Sequence, residues 1–97
     1  MAEKIYIVGA VTGVENWEEK FREASWVAFC ENGGLNAEIR TPEYYPKGLT
    51  QKEYMVLSCE SVFWATKILV TKGWTNSLGT HAEIALAKSF GLPVEYL

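Results

Sequence analysis

Lys4-Ile5-Tyr6-Ile7-Val8-Gly9 is a short run of β-branched and aromatic side chains that stops at a glycine. With no polar alternation inside it, the run reads as a strand covered on both faces, the pattern of a parallel sheet. Working outward, Trp17, Phe21, Ala24 and Ala28 share one stripe at helical spacing, so a helix is expected from about Asn16 to Asn32. Asn16 is the candidate cap and Gly33-Gly34 the stop. Leu35 to Arg40 makes a second strand. Thr41 to Gly48 holds two prolines and a glycine and reads as a loop, whose Tyr44 and Tyr45 either line a pocket or pack.

Thr50 and Glu53 have capping-box spacing, which predicts a helix over Gln51 to about Trp64, with Tyr54, Leu57, Ser58 and Ser61 or Val62 toward the sheet. Lys67 to Thr71 is the third strand, Leu78 to Phe90 the last helix, and Val94-Glu95-Tyr96 a terminal strand beyond Gly91. The order β-α-β-α-β-α-β with right-handed crossovers implies an α/β fold. It is a small doubly wound parallel sheet of about four strands, flavodoxin- or Rossmann-like, with helices on both faces. Residues 1–97 make one domain, because 97 residues with 48% hydrophobic content leave no room for a second.

A formal net charge of −3 and the lack of a Lys/Arg run argue against a nucleic-acid duplex or a membrane surface as partner. Small ligands remain, with Lys4, Arg22 and Arg40 as scattered cations and backbone N–H groups as anion donors. Cys30 and Cys59 sit in apolar helical patterns and read as reduced, buried thiols; the single His81 has no metal-ligand neighbour, so no metal site is expected. Met1 to Lys4 does not open a signal peptide, and the cytoplasm is the expected compartment. Glu15, Glu18, Glu19, Lys20 and Glu23 form a solvated helix face, whereas Trp26, Phe29 and Cys30 make an apolar patch on the side away from the Trp17 stripe. That patch is a candidate homo-oligomer interface or lies under a neighbouring loop.

In such a sheet, ligands bind beyond the carboxyl ends of the strands where the strand order reverses. Two loops are expected to meet there, Gly9-Ala10-Val11-Thr12-Gly13 and Trp74 to Thr80. The first lacks the lysine of a phosphate-binding loop and the third glycine of a dinucleotide fingerprint, and its glycines also suit a tight turn. The second leads into Ser77-Leu78-Gly79-Thr80-His81-Ala82-Glu83, a turn opening a helix with Glu83 in its first turn. There the carboxylate feels the positive helix end and is expected to stay ionised at neutral pH, as a nucleophile, an anchor or a plain stabilising residue. His81 reads as solvent-facing or capping.

Together, Ile5 to Gly13 near the start and Ser77, Leu78, Gly79 and Glu83 near the end resemble the nucleoside 2-deoxyribosyltransferase superfamily. That superfamily includes 2'-deoxynucleoside 5'-phosphate N-hydrolases and short phage and bacterial proteins of unknown role. The resemblance implies that Glu83 attacks the anomeric carbon of a deoxyribose and that Tyr6 lies close to this carboxylate. It also places the Gly9 to Gly13 turn, with Ala10 and Thr12, against the sugar or its 5' group. Ser77, where the free-nucleoside branch tends to carry Asp, implies a 5'-phosphorylated ligand held with Gly79 and Thr80. An Asp usual in the helix before the third strand is replaced here by Glu53 or Lys52, which leaves Glu53 as a candidate sugar or base contact; Ala10 removes a hydroxyl. Trp74 either stacks on a base, closes the pocket or packs under its loop.

The expected function is binding of a 2'-deoxynucleoside or its 5'-monophosphate, with cleavage or exchange of the N-glycosidic bond by Glu83 and no metal or organic cofactor. The alternative is a non-catalytic nucleotide-binding module, a sensor or sponge for a nucleotide-derived signal.

Overall fold

The computed structural model describes residues 3–11, 14–31 and 37–97. Its elements are β1 (Glu3–Val8), α1 (Trp17–Glu31), β2 (Ala37–Arg40), α2 (Gln51–Trp64), β3 (Lys67–Val70), α3 (Leu78–Ser89) and β4 (Val94–Tyr96), with a 3-10 turn at Pro42–Tyr44. All strand pairs are parallel, in the order β2-β1-β3-β4. This is the expected small doubly wound α/β fold. The chain runs outward from β1 to β2, then returns past β1 to β3, so the order reverses between β1 and β3.

The central strand shows why the opening run is apolar throughout. Ile5 and Ile7 pack with Phe21, Ala24 and Ala28 of α1 and with Leu69, whereas Tyr6 and Val8 pack on the other face with Val62, Ile68, Val70, Ile84 and Ala87. Side chains alternate across a strand, and both faces are covered, by α1 on one side and by α2 and α3 on the other. Each of the four strand residues Ile5 to Val8 is fully buried.

The helix ends follow local chemistry. α2 starts with a complete capping box: Glu53 N–H donates to Thr50 Oγ1 at 3.2 Å and Thr50 N–H donates to Glu53 Oε1 at 2.8 Å. The last helix stops one residue before the expected Phe90, where Gly91 at φ +75° lets the Gly91 and Leu92 amides turn back to Lys88 and Ala87 carbonyls. Asn16 precedes α1 at φ 56°, a left-handed conformation rather than the extended backbone of a capping residue. β2 is described from Ala37 onward, and the expected stop at Gly33-Gly34 lies outside the described residues. The expected plain loop after β2 contains the Pro42–Tyr44 turn, capped by Thr41 through the Glu43 amide at 3.2 Å.

Cys30 and Cys59 are both free thiols, but neither is buried: Cys30 is exposed and Cys59 half-buried. The apolar pattern around them misled because each lies off its helix's sheet-facing stripe. No helix among the described residues is long and apolar enough to cross a membrane.

Candidate functional site

A cavity of about 260 Å³ opens at the carboxyl ends of β1 and β3, at the reversal of strand order. Gly9 and Val11 from the turn after β1 line it, as do Ser77, Gly79, Thr80 and Glu83 from the start of α3. The two distant loops therefore share one cavity. Its remaining wall comes from Trp17 at the start of α1, from Pro42 and Tyr45 of the β2–α2 loop, and from Gln51, Tyr54, Met55 and Ser58 of α2.

Ser77 is the N-cap of α3: its hydroxyl oxygen accepts the Thr80 amide at 3.2 Å and the Thr80 hydroxyl at 2.9 Å. Both lone pairs are thus engaged, and the Ser77 proton is left to donate. The helix begins at Leu78, so Glu83 is its sixth residue and sits in the second turn. The expected first-turn placement is corrected accordingly. Beyond the N–H groups that lack intrahelical partners, the helix end favours an anion far less.

Glu83 is 6% exposed, and its Oε2 has no hydrogen-bond partner. Burial pushes its carboxyl up to about 7, while the Tyr6 and Ser58 hydroxyls pull in the opposite direction. The expectation of a carboxylate fully ionised at neutral pH is overturned, because loss of water outweighs the available donors. Such a group exists in both charge states near neutrality.

Tyr6 is fully buried beneath the acid, within a cluster of hydroxyls. Its OH donates to Ser58 Oγ at 3.3 Å and accepts from Tyr45 OH at 3.0 Å, and Tyr45 OH lies 2.7 Å from Ser61 Oγ. Burial and the nearby Glu83 carboxyl raise the Tyr6 phenol well above its ordinary value, so it remains a donor. Tyr45 is raised too, chiefly by burial.

Other candidates stand elsewhere. Gly9 lines the cavity, but its lack of a side chain is a packing requirement: a Cβ there would overlap Thr71 Oγ1 and press on the Phe21 ring at 3.3 Å. Ala10 is half-buried and is not among the lining residues; Thr12 and Gly13 lie outside the described residues. Glu53 is turned to the capping box rather than the cavity, and the Thr50 amide and hydroxyl hold its carboxyl below the ordinary value. Trp74 packs against His81 and Tyr96, with ring centroids 4.8 and 5.5 Å away, which puts it under its loop and off the cavity wall. His81 Nε2 meets the Thr75 carbonyl at 2.7 Å and ties that loop to α3. Arg22 pairs with Glu43 at 3.4 Å and Arg40 lies over the Trp64 ring at 4.1 Å. Neither Arg22, Arg40 nor Lys4 lines the cavity.

Sequence reading passed over Trp17, Tyr54, Met55 and the pair Ser58 and Ser61 as site residues. The serines carried a signal: two hydroxyls on the sheet-facing stripe of α2 are buried polar groups that need partners. Trp17 carried none, since an aromatic residue at the end of an apolar stripe is ordinary core.

The structure is thus a small doubly wound parallel α/β fold with a buried carboxyl, one of whose oxygens is unpartnered, in a cavity at the switch point. The chain belongs to the family described as Domain of unknown function (DUF4406), whose model matches residues 3–96. Neither a curated protein nor a solved structure matches it.

Proposed function

We propose that the protein binds a 2'-deoxynucleoside, preferably as its 5'-monophosphate, and cleaves or exchanges its N-glycosidic bond through Glu83. The observation that carries this reading is the Glu83 carboxyl itself, buried in the cavity wall with Oε2 unpartnered. A buried polar atom without a partner has a cost that a ligand can relieve. In this reading ionised Glu83 forms a bond to C1', the C1'–N bond breaks, and its electron pair leaves with the base, which takes a proton from solvent. Water then displaces Glu83 to give hydrolysis, or a second base does so to give transfer. The Tyr6 hydroxyl orients the acid, the Ser77 proton and the first turn of α3 receive the 5' group, and Trp17, Tyr54 and Met55 supply an apolar wall for the base.

A second reading, a nucleotide-binding module without turnover, is favoured by one observation. No carboxylate other than Glu83 lines the cavity among the described residues, so no second acid is at hand to protonate the leaving base. Incubation with each deoxynucleoside monophosphate, followed by chromatography for free base, separates the two. Base release that disappears in Glu83→Ala supports the enzyme. A rise in melting temperature without base release supports the module, and neither effect rejects both.

We also infer self-association through the outer side of α1. Trp26 is 67% exposed and stacks on the half-buried Phe29 at 5.8 Å, so the indole is left largely uncovered in the monomer. Sedimentation of the wild type against Trp26→Glu tests it: a dimer or larger species is expected for the former and a monomer for the latter.

A further inference from the structure

The hydroxyl cluster beneath Glu83 extends past the residues that touch the acid. Each hydroxyl owns one proton and accepts through two lone pairs, which leaves few ways to satisfy the whole set. One arrangement gives every proton a separate acceptor: Ser61 donates to Tyr45, Tyr45 to Tyr6, Tyr6 to Ser58, and Ser58 to the Glu83 carboxyl. Tyr45 OH also lies 3.2 Å from the Leu57 carbonyl, a competing acceptor for its single proton. Chains of this kind polarise along their length, so a donor two bonds away strengthens the last one.

Tyr45 does not belong to the sheet or to either helix of this face. It stands in the β2–α2 loop, directly after the Pro42–Tyr44 turn, and with Pro42 it forms cavity wall. Its ring also borders a second cavity, of about 380 Å³, that Ser61 and Arg40 line. The hydroxyl chain thus starts at Ser61 on α2, passes through Tyr45, a loop residue between two cavities, and ends at the acid.

We propose that Tyr45 and Ser61 are positioning residues that act on Glu83 through Tyr6 and Ser58, so that the β2–α2 loop sets how readily Glu83 releases its proton. A ligand that presses on Pro42 or Tyr45 changes the acid without touching it. The titratable groups facing Glu83 are Tyr6 from β1 and Tyr45 from the loop, both of which sense its charge; α2 presents the neutral Ser58 and α3 itself Thr80. Tyr54 shares the cavity wall but has its own hydrogen bond, to the Pro46 carbonyl at 3.5 Å, and is no link in the chain. No Lys or Arg lines the cavity among the described residues, so nothing charged masks the effect.

The inference concerns the charge on Glu83 and holds whether or not the glycosidic reaction does. It is tested by titrating the Glu83 carboxyl by NMR in protein carrying carbon-13 at the glutamate carboxyls, with Glu83→Gln assigning the signal. Tyr45→Phe is expected to shift the protonation equilibrium about three- to tenfold toward the neutral acid. Ser61→Ala, one bond further out, is expected to shift it less in the same direction, and Tyr54→Phe to stay within about twofold of wild type. Near-ultraviolet circular dichroism shows whether each variant keeps its packing. A folded Tyr45→Phe that titrates like wild type overturns the proposal, as does a Tyr54→Phe that shifts as far as Tyr45→Phe.

Discussion

The two faces of this sheet are built from the same strands and serve different ends. Toward α1, Ile5, Ile7 and Leu69 meet Phe21, Ala24 and Ala28 in an apolar cluster, with the buried Thr71 at its Gly9 end. Toward α2 and α3, the next residues along the same strand, Tyr6 and Val8, meet a layer in which Ser58, Ser61, Thr80 and Glu83 are buried as well. One helix can lie flat over its strands and exclude water. Two helices meeting over a sheet leave a seam, and at its open end the seam becomes a cavity whose polar groups are held by hydrogen bonds rather than by area. The dry face therefore supplies stability and the seam supplies chemistry, as expected where polar burial is tolerated for a purpose.

The contrast can be broken most sharply on the seam. If Glu83 is the nucleophile, Glu83→Ala lowers base release from the preferred deoxynucleotide by at least about a thousandfold while the fold persists. Residual turnover within tenfold of wild type removes the acid from that role. On the dry face, Phe21→Ala is expected to destabilise the protein by about 3–5 kcal/mol, because no neighbour can collapse into the space left by a fully buried ring. Denaturant unfolding measures it; a loss below about 1 kcal/mol would mean that this face is not the main source of stability.

The third test joins the faces through pH. Glu83 titrates near 7 in the folded protein against an ordinary value of 4.5, so between these values the folded state binds the extra proton. Stability is accordingly present in full below about pH 4.5 and falls as pH rises to about 7, by about 3 kcal/mol in all. Glu83→Gln removes the titration. It is expected to melt close to wild type at pH 4.5 and above it at pH 8, and equal differences at both pH values would show that the acid is not buried as described. If the ionised acid is the reacting form, kcat/KM for base release rises through the same pH range. The smallest expected effect lies outside both layers: Thr50→Ala removes one half of the α2 capping box and costs about 1 kcal/mol with nucleotide binding unchanged. A loss of ligand affinity in that variant would return Glu53 to the site.

Much of this was open to reading from residues in order. The apolar opening strand, the Thr50/Glu53 start of α2 and the Gly91 stop of α3 are local signals, each acting within a few residues, and the structure repeats them nearly residue for residue. Alternation of strands and helices with one handedness leaves few topologies, and that is why the meeting of the β1 and β3 loops could be foreseen. Trp74 was ambiguous because a loop tryptophan has equal chemical reason to pack or to bind, and only the position of Tyr96 on β4 decides it.

The charge behaviour of Glu83 and the hydroxyl chain under it belong to the tertiary structure alone. A carboxyl's ionisation depends on how much water reaches it and on donors brought from β1, the β2–α2 loop and α2. No spacing along the chain encodes that environment. Sequence sets what each segment can form by itself, since caps, turns and strand patterns are short-range. Burial and hydrogen bonding between residues dozens of positions apart exist only once the segments have closed on one another.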